Sequence, residues 1–92
     1  MNIIEEIGTA AMLEQLAEEC TELGKAALKM ARIIRKDNPT PVTIEQAKEN
    51  LCEESGDVIT CIEMLKNADV LFVDDNERNA KIERWKNRIK NQ

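Results

Sequence analysis

Apolar residues recur along this chain at alternating intervals of three and four positions, the spacing that puts side chains on one face of an α-helix. The pattern extends over two long stretches and one shorter stretch near the C-terminus. The first long stretch, from about Thr9 to about Lys36, predicts a helix that packs this stripe against a partner helix. Its members are Leu13, Leu16, Cys20, Leu23, Ala27, Met30 and Ile34.

A proline-containing break separates the first helix from the second. Asn38-Pro39 should stop the first helix, because proline interrupts the hydrogen-bond ladder and restricts the residue before it. Thr43 and Gln46 have the spacing of a capping box, so the second helix should begin there. Its stripe consists of Ile44, Ala47, Leu51, Glu54, Val58, Cys61 and Leu65.

Glu54 is the exception in this second stripe, since the pattern requires an apolar side chain at its position. A carboxylate on a packed helix face must be neutralised, paired or metal-bound, because burying a bare charge is costly. Lys25, Lys29 and Arg84 are the candidate ion-pair partners, and a metal ion is the other solution.

A third helix should follow the acidic cap at Asp74–Glu77. Ile82, Trp85 and Ile89 form its stripe, and we expect Trp85 to pack in the core. The apolar stretch Asp69–Val73 predicts a buried turn or a helical tail covering the end of the bundle. A short N-terminal segment contributes Ile3, Ile4 and Ile7.

These elements predict a single all-α domain over residues 1–92, a bundle of three long helices plus the short N-terminal segment. A chain of 92 residues leaves much apolar surface near water unless it associates. We therefore expect oligomerisation to complete the bundle, as a homodimer or a dimer of dimers.

The amino-acid composition excludes several kinds of functional site. The chain contains no His, which excludes His-based triads, His–Cys nucleophiles and typical zinc sites. Its three cysteines form no CxxC pair, and with no signal peptide they are typical of reduced thiols in a cytoplasmic protein. Cys20 and Cys61 lie on the stripes and should be inert core thiols. A net charge of −5 and the lack of a long apolar run predict no stable nucleic-acid partner and no membrane span.

Two pairs of carboxylates are candidates for a metal site. Asp57 lies three residues after Glu54 and shares its helix face. Glu19 flanks the first stripe, and Glu22 lies three residues further on. If the stripes face each other near their middles, the four carboxylates converge, and such hard oxygen ligands suit Mg²⁺ or Mn²⁺. The alternative is that the glutamates of the first helix form a solvated helix face.

The two acidic motifs resemble a known pattern. Glu18–Glu22 followed by Glu54–Asp57 resembles the EExxE…ExxD signature of the MazG-like nucleotide pyrophosphohydrolases, an all-α NTP pyrophosphatase group. Asn79–Arg84 is similar to the late N-x-K-x-x-R helix of that family. The resemblance extends from about Leu13 to Arg84, although Glu77 stands where the family often has a lysine.

The resemblance implies Mg²⁺-dependent hydrolysis of nucleoside triphosphates, commonly deoxynucleotides, to the monophosphate and pyrophosphate. It assigns Glu18 to orienting or deprotonating the attacking water. The metal ligands that it implies are Glu19, Glu22, Glu54 and Asp57. The residues that it implies for binding the triphosphate are Asn79, Lys81 and Arg84.

Two other functions remain open from the sequence. One is a non-catalytic helical module for oligomerisation or regulation, which the apolar stripes would also suit. The other is a nucleotide-binding family member that has lost its activity.

Overall fold

A computed structural model describes residues 1–36, 39 and 41–92 of the chain. It contains four helices and, over the described residues, no strand, which confirms the predicted all-α class. The helices are α1 (Ile3–Ile7), α2 (Thr9–Arg35), α3 (Ile44–Asn67) and α4 (Asp75–Lys90). Asp37, Asn38 and Thr40 lie outside the described residues, and so does the stop predicted at Asn38-Pro39.

Local capping explains where α3 and α4 begin. The Gln46 backbone N–H donates to Thr43 Oγ1 at 3.1 Å, and the Thr43 N–H donates to Gln46 Oε1 at 2.9 Å. This reciprocal pair is the predicted capping box. Asp74 accepts hydrogen bonds from the N–H groups of Asn76 and Glu77 at the start of α4. Both predicted helix starts are therefore confirmed.

The core lies between α2 and α3, which run antiparallel. Met12, near the start of α2, clusters with Cys61 and Leu65 near the end of α3. Further along α2, Glu19 meets an earlier part of α3, at Glu54. The partly buried residues packed around the cluster are Ile4, Leu16, Met64 and Leu71. Helix α1 contacts α2 and adds Ile4 to this end of the pair.

The face that α2 presents to α3 differs from the predicted stripe. The structure buries or half-buries Met12, Leu16, Glu19, Leu23, Ala26, Met30 and Ile33. Leu16, Leu23 and Met30 are common to both sets. The other four members of the predicted stripe, Leu13, Cys20, Ala27 and Ile34, are exposed.

The difference between the predicted and the observed stripe has a simple cause. In both sets the members alternate at three and four positions, so periodicity alone cannot choose between neighbouring residues such as Ala26 and Ala27. The prediction that Cys20 is a core thiol is wrong because Cys20 is exposed, whereas Cys61 is buried as expected. Relative to the predicted stripe, α2 is rotated about its axis, and this rotation places Glu19 within the interface instead of at its edge.

The stripe predicted for α3 is largely confirmed. Ala47, Val58, Cys61 and Leu65 are buried, and Leu51 and Glu54 are half-buried. Ile44 is the exception, because it is the first residue of α3 and its side chain is 46% exposed.

Helix α4 stands apart from the α2–α3 core. It has no buried residue, and Trp85 is 54% exposed, so the prediction that Trp85 packs in the core is wrong for the single chain. Lys81 Nζ lies 5.4 Å from the centroid of the Trp85 ring, a cation–π contact within α4. The radius of gyration is 16.8 Å, against about 12 Å expected for a compact domain of this length.

The segment between α3 and α4 is not helical. Only Leu71 packs against the core cluster, while Phe72 is 81% exposed. The prediction that Asp69–Val73 covers the end of the bundle therefore holds for one side chain of the five.

We expect Leu65→Ala to be among the most destabilising truncations of this chain. Leu65 is fully buried, and removing a buried leucine side chain costs about 2–5 kcal/mol through lost transfer energy and the cavity left behind. Leu28→Ala is the matched control, since Leu28 is 60% exposed on α2 and its loss should change stability by less than about 0.5 kcal/mol. Urea unfolding measures both, and equal effects would contradict the core described above.

Candidate metal centre

Three carboxylates from two helices meet at the α2–α3 interface. Glu19 on α2 and Glu54 and Asp57 on α3 each place a carboxylate oxygen within 4.8 Å of the others. Glu19 and Glu54 are half-buried and Asp57 is exposed. The α3 pair converges because residues three apart share a helix face, and Glu19 joins it because it occupies an interface position on α2.

The environment raises the pKa of Glu54 above the ordinary glutamate range. Desolvation by burial is the largest cause, followed by the negative charges of Asp57 and Glu19 and then of Glu22 and Glu53. All five causes disfavour the ionised form. Glu54 therefore lies in a site with a surplus of negative charge.

No basic side chain relieves this surplus in the described part of the chain. Among the described ion pairs, none places a lysine or arginine within 4.0 Å of Glu19, Glu54 or Asp57. Lys25, one of the candidate partners, pairs with Glu22 instead at 3.6 Å. The ion-pair explanation for an acid at position 54 is therefore not what the structure shows.

The spacing of the three oxygens suits a divalent cation. Mg²⁺ binds oxygen at about 2.0–2.1 Å in octahedral geometry, so oxygens on opposite sides of the ion are about 4.2 Å apart. Neighbouring ligands of such an ion are about 2.9 Å apart, so oxygens that lie within 4.8 Å of one another would move closer by side-chain rotation on binding it. Carboxylates alone, with no His or thiolate, favour hard cations such as Mg²⁺ or Mn²⁺.

Glu22 and Glu18, the other two predicted acids, are exposed on α2 and lie outside the three carboxylates that meet. Glu18 is also absent from the groups that raise the pKa of Glu54. Glu22 is nevertheless close enough to contribute to the raised pKa of Glu54. Its ion pair with Lys25 is exposed, and pairs of this kind contribute little to stability, so Glu22 can turn towards the site at small cost.

The predicted phosphate-binding residues lie elsewhere. Asn79, Lys81 and Arg84 are exposed on α4. Among the described hydrogen bonds and ion pairs, none joins these residues to the carboxylates. Lys81 instead contacts the Trp85 ring.

A groove of about 380 Å³ opens beside Glu19 and Asp57. The residues lining it are Ile3, Ile7, Met12, Gln15, Glu19, Asp57, Thr60, Cys61 and Met64. The walls are mostly apolar, while Gln15 and Thr60 offer neutral hydrogen-bonding groups. The pKa of Cys61 is raised by burial and then by the charges of Glu19 and Asp57, which keeps this thiol protonated.

Sequence reasoning missed two contributors to the site. Gln15 Nε2 donates a hydrogen bond to Glu19 Oε1 at 2.8 Å and so orients that carboxylate. The spacing of four residues on one helix face was the signal available for this pair. Helix α1 lines the groove with Ile3 and Ile7, and no local pattern indicates that contact.

Comparison with known proteins adds no identification: no family model, no curated protein and no solved structure matches this chain. Among the described residues, no helix is both long enough and apolar enough to cross a membrane.

Proposed function

We propose that this protein is a Mg²⁺-dependent nucleoside triphosphate pyrophosphohydrolase, which converts a (d)NTP to the (d)NMP and pyrophosphate. The supporting observation is the meeting of Glu19, Glu54 and Asp57 at the α2–α3 interface without a basic partner. The resemblance of the two acidic motifs to the MazG-like family supports the choice of reaction.

Glu19, Glu54 and Asp57 would hold the metal, and Glu22 would join them by leaving Lys25. A bound Mg²⁺, or Mn²⁺ in its place, would neutralise phosphate charge, polarise the attacked phosphoryl group and lower the pKa of bound water. Gln15 would keep the Glu19 carboxylate oriented through its hydrogen bond.

Glu18 would act on the attacking water, because a carboxylate is the base available in a chain without histidine. It would accept a proton as the water oxygen bonds to the α-phosphorus. The bond from that phosphorus to the bridging oxygen of the β-phosphate breaks, and pyrophosphate leaves. Asn79, Lys81 and Arg84 on α4 would bind the triphosphate, with the arginine able to make paired hydrogen bonds.

The groove beside the carboxylates would accept the nucleoside. Its apolar walls suit the faces of a base, and Gln15 and Thr60 can hydrogen-bond to base or sugar edges. We further propose that the enzyme is a homo-oligomer, a dimer or a dimer of dimers. We also propose that it acts in the cytoplasm, where its three cysteines stay reduced.

The deciding experiment is incubation of the purified protein with a panel of NTPs and dNTPs in the presence of Mg²⁺. We expect equal amounts of monophosphate and pyrophosphate, and no products when a chelator removes the metal. Release of inorganic phosphate in place of pyrophosphate would contradict the proposed bond cleavage. Nucleotide binding without products would favour the inactive family member, and the absence of both would favour the oligomerisation module.

A further inference from the structure

The groove beside the carboxylates contains two neutral polar side chains whose hydrogen-bonding directions are set by the protein itself. Glu19 and Asp57 lie at one end of the groove. Gln15 on α2 and Thr60 on α3 each lie about one helical turn from them, towards α1. Apart from the carboxylates and the weakly polar Cys61, the other lining side chains are apolar. Gln15 and Thr60 therefore determine which hydrogen bonds a bound nucleoside can make there.

Thr60 offers the groove an acceptor. Its hydroxyl donates to the backbone carbonyl oxygen of Gly56, one turn earlier on α3, at 2.8 Å. A hydroxyl has a single O–H donor and two acceptor lone pairs, so the donor of Thr60 is already in use. Thr60 Oγ1 could donate to a ligand only by giving up the bond to Gly56, whereas it can accept from a ligand without any such loss.

Gln15 is held in one orientation by an internal bond of the same kind. Its Nε2 donates to Glu19 Oε1 at 2.8 Å. A free carboxamide can rotate by 180° and exchange its donor and acceptor ends. Here that rotation would place the amide oxygen against the Glu19 carboxylate, an acceptor against an acceptor. Gln15 Oε1 therefore remains available to accept from a ligand, beside one remaining N–H of the amide.

The groove is consequently richer in acceptors than in donors. Glu19 and Asp57 add negative oxygens at its end. Among the lining side chains, the donors that remain are one N–H of Gln15 and the weak S–H of Cys61. Cytosine and adenine present an amino group to such a surface, beside a ring nitrogen that accepts. Uracil and hypoxanthine have a carbonyl oxygen and a ring N–H in these places, so their carbonyl would face the oxygens of the groove.

We infer that the groove selects nucleotides whose base carries an amino group, cytosine or adenine, over their oxo counterparts, and that Thr60 makes this distinction. The amino group donates to Thr60 Oγ1 or Gln15 Oε1, and the ring nitrogen accepts the remaining N–H of Gln15. Both side chains are exposed, so water partly replaces these bonds, and we expect a preference of about tenfold, well below that of a buried site. This inference rests on the hydrolysis proposed above and adds the choice of substrate to it.

The test compares kcat/KM for dCTP with dUTP, and for dATP with dITP, at the same Mg²⁺ concentration. Wild type should favour the amino member of each pair that it hydrolyses by about tenfold. Thr60→Val keeps the shape of the side chain but cannot accept, so the preference should fall to about twofold or less, and Thr60→Ser should restore it. Thr21→Val is the matched control, because the Thr21 hydroxyl makes the same kind of bond, to the Ala17 carbonyl at 3.1 Å, but does not line the groove. It should keep the wild-type preference.

Several results would overturn the inference. Equal kcat/KM values within each pair, or a preference for dUTP or dITP, would refute it. A preference that survives Thr60→Val would place base recognition elsewhere, and an equal loss for both members of a pair would assign the hydroxyl to the sugar or to the helix.

The enzyme proposal and this inference can fail separately. If no nucleotide is hydrolysed, the enzyme proposal fails, and calorimetric titration of the full-length protein with dCMP, dUMP, dAMP and dIMP in the presence of Mg²⁺ decides the inference. About tenfold tighter binding of the amino member, lost in Thr60→Val and kept in Thr21→Val, would support it. Equal binding within each pair, or no binding of any of the four, would overturn it.

Discussion

Glu54→Gln should abolish Mg²⁺-dependent pyrophosphate release while the helix content stays unchanged. The substitution keeps the shape of the side chain but removes the anionic oxygen that would bind the metal. Losing even a group that orients a metal ligand typically costs 10–100-fold in affinity or activity, so losing the ligand itself should cost more than about 100-fold. Product release under saturating nucleotide measures the effect, and circular dichroism checks the fold.

Glu49→Gln is the control for this experiment. Glu49 lies on α3 and is exposed, and it is not among the groups that influence Glu54. Its replacement removes the same charge and should leave the rate within about twofold, as for surface changes remote from a site. Retained activity in Glu54→Gln would contradict the assignment of Glu54 as a metal ligand. A comparable loss in Glu49→Gln would show that net charge, and not the site, controls the rate.

The second large effect is on stability: Mg²⁺ should raise the Tm of the wild type. The carboxylates repel one another in the folded state, and a cation that binds only this state shifts the equilibrium towards it. At a free Mg²⁺ concentration ten times the Kd, binding contributes about 1.4 kcal/mol, which corresponds to about 5–10 °C for a domain of this size. Glu54→Gln should melt higher than wild type without metal and should show little shift with Mg²⁺.

The pH dependence of this effect has a definite sign. The pKa of Glu54 is raised by folding, so in the range above the ordinary glutamate value of about 4.3 the folded state binds more protons than the unfolded state. The contribution of Glu54 therefore makes the metal-free protein less stable as pH rises through this range, until the folded-state pKa is passed. The Mg²⁺-induced shift should grow over the same range, because protons and metal compete for the carboxylate.

A series of melting curves at several pH values, with and without Mg²⁺, tests both directions. A shift in Tm that is the same at acidic and neutral pH, or the same in Glu54→Gln as in wild type, would mean that the ion binds elsewhere.

The helices and their starts were predictable because they depend on neighbouring residues. The capping box of Thr43 and Gln46 and the cap at Asp74 require only groups within one turn. The three-and-four spacing on α3 identified Glu54 as an acid on an otherwise apolar face. The sequence pattern was therefore sufficient to identify Glu54 as a candidate functional residue.

The rotation of α2 was not predictable in the same way. Two neighbouring stripes share Leu16, Leu23 and Met30, and only packing against α3 selects the one that contains Glu19. That choice brings Glu19 to Glu54 and leaves Cys20 in solvent. Because both stripes have the same period, the spacing of apolar residues does not distinguish them.

The amino-acid pattern is enough to predict an all-α chain with two long amphipathic helices, the positions of their caps and one acid on a packed face. These features follow from local hydrogen bonding and from the period of the apolar residues. The packing of the helices was needed to show that Glu19 completes a three-carboxylate group, that α1 lines a groove beside it and that α4 buries no residue. Those outcomes depend on contacts between residues far apart in the chain, whose geometry is set by how side chains pack together and not by the spacing within one helix.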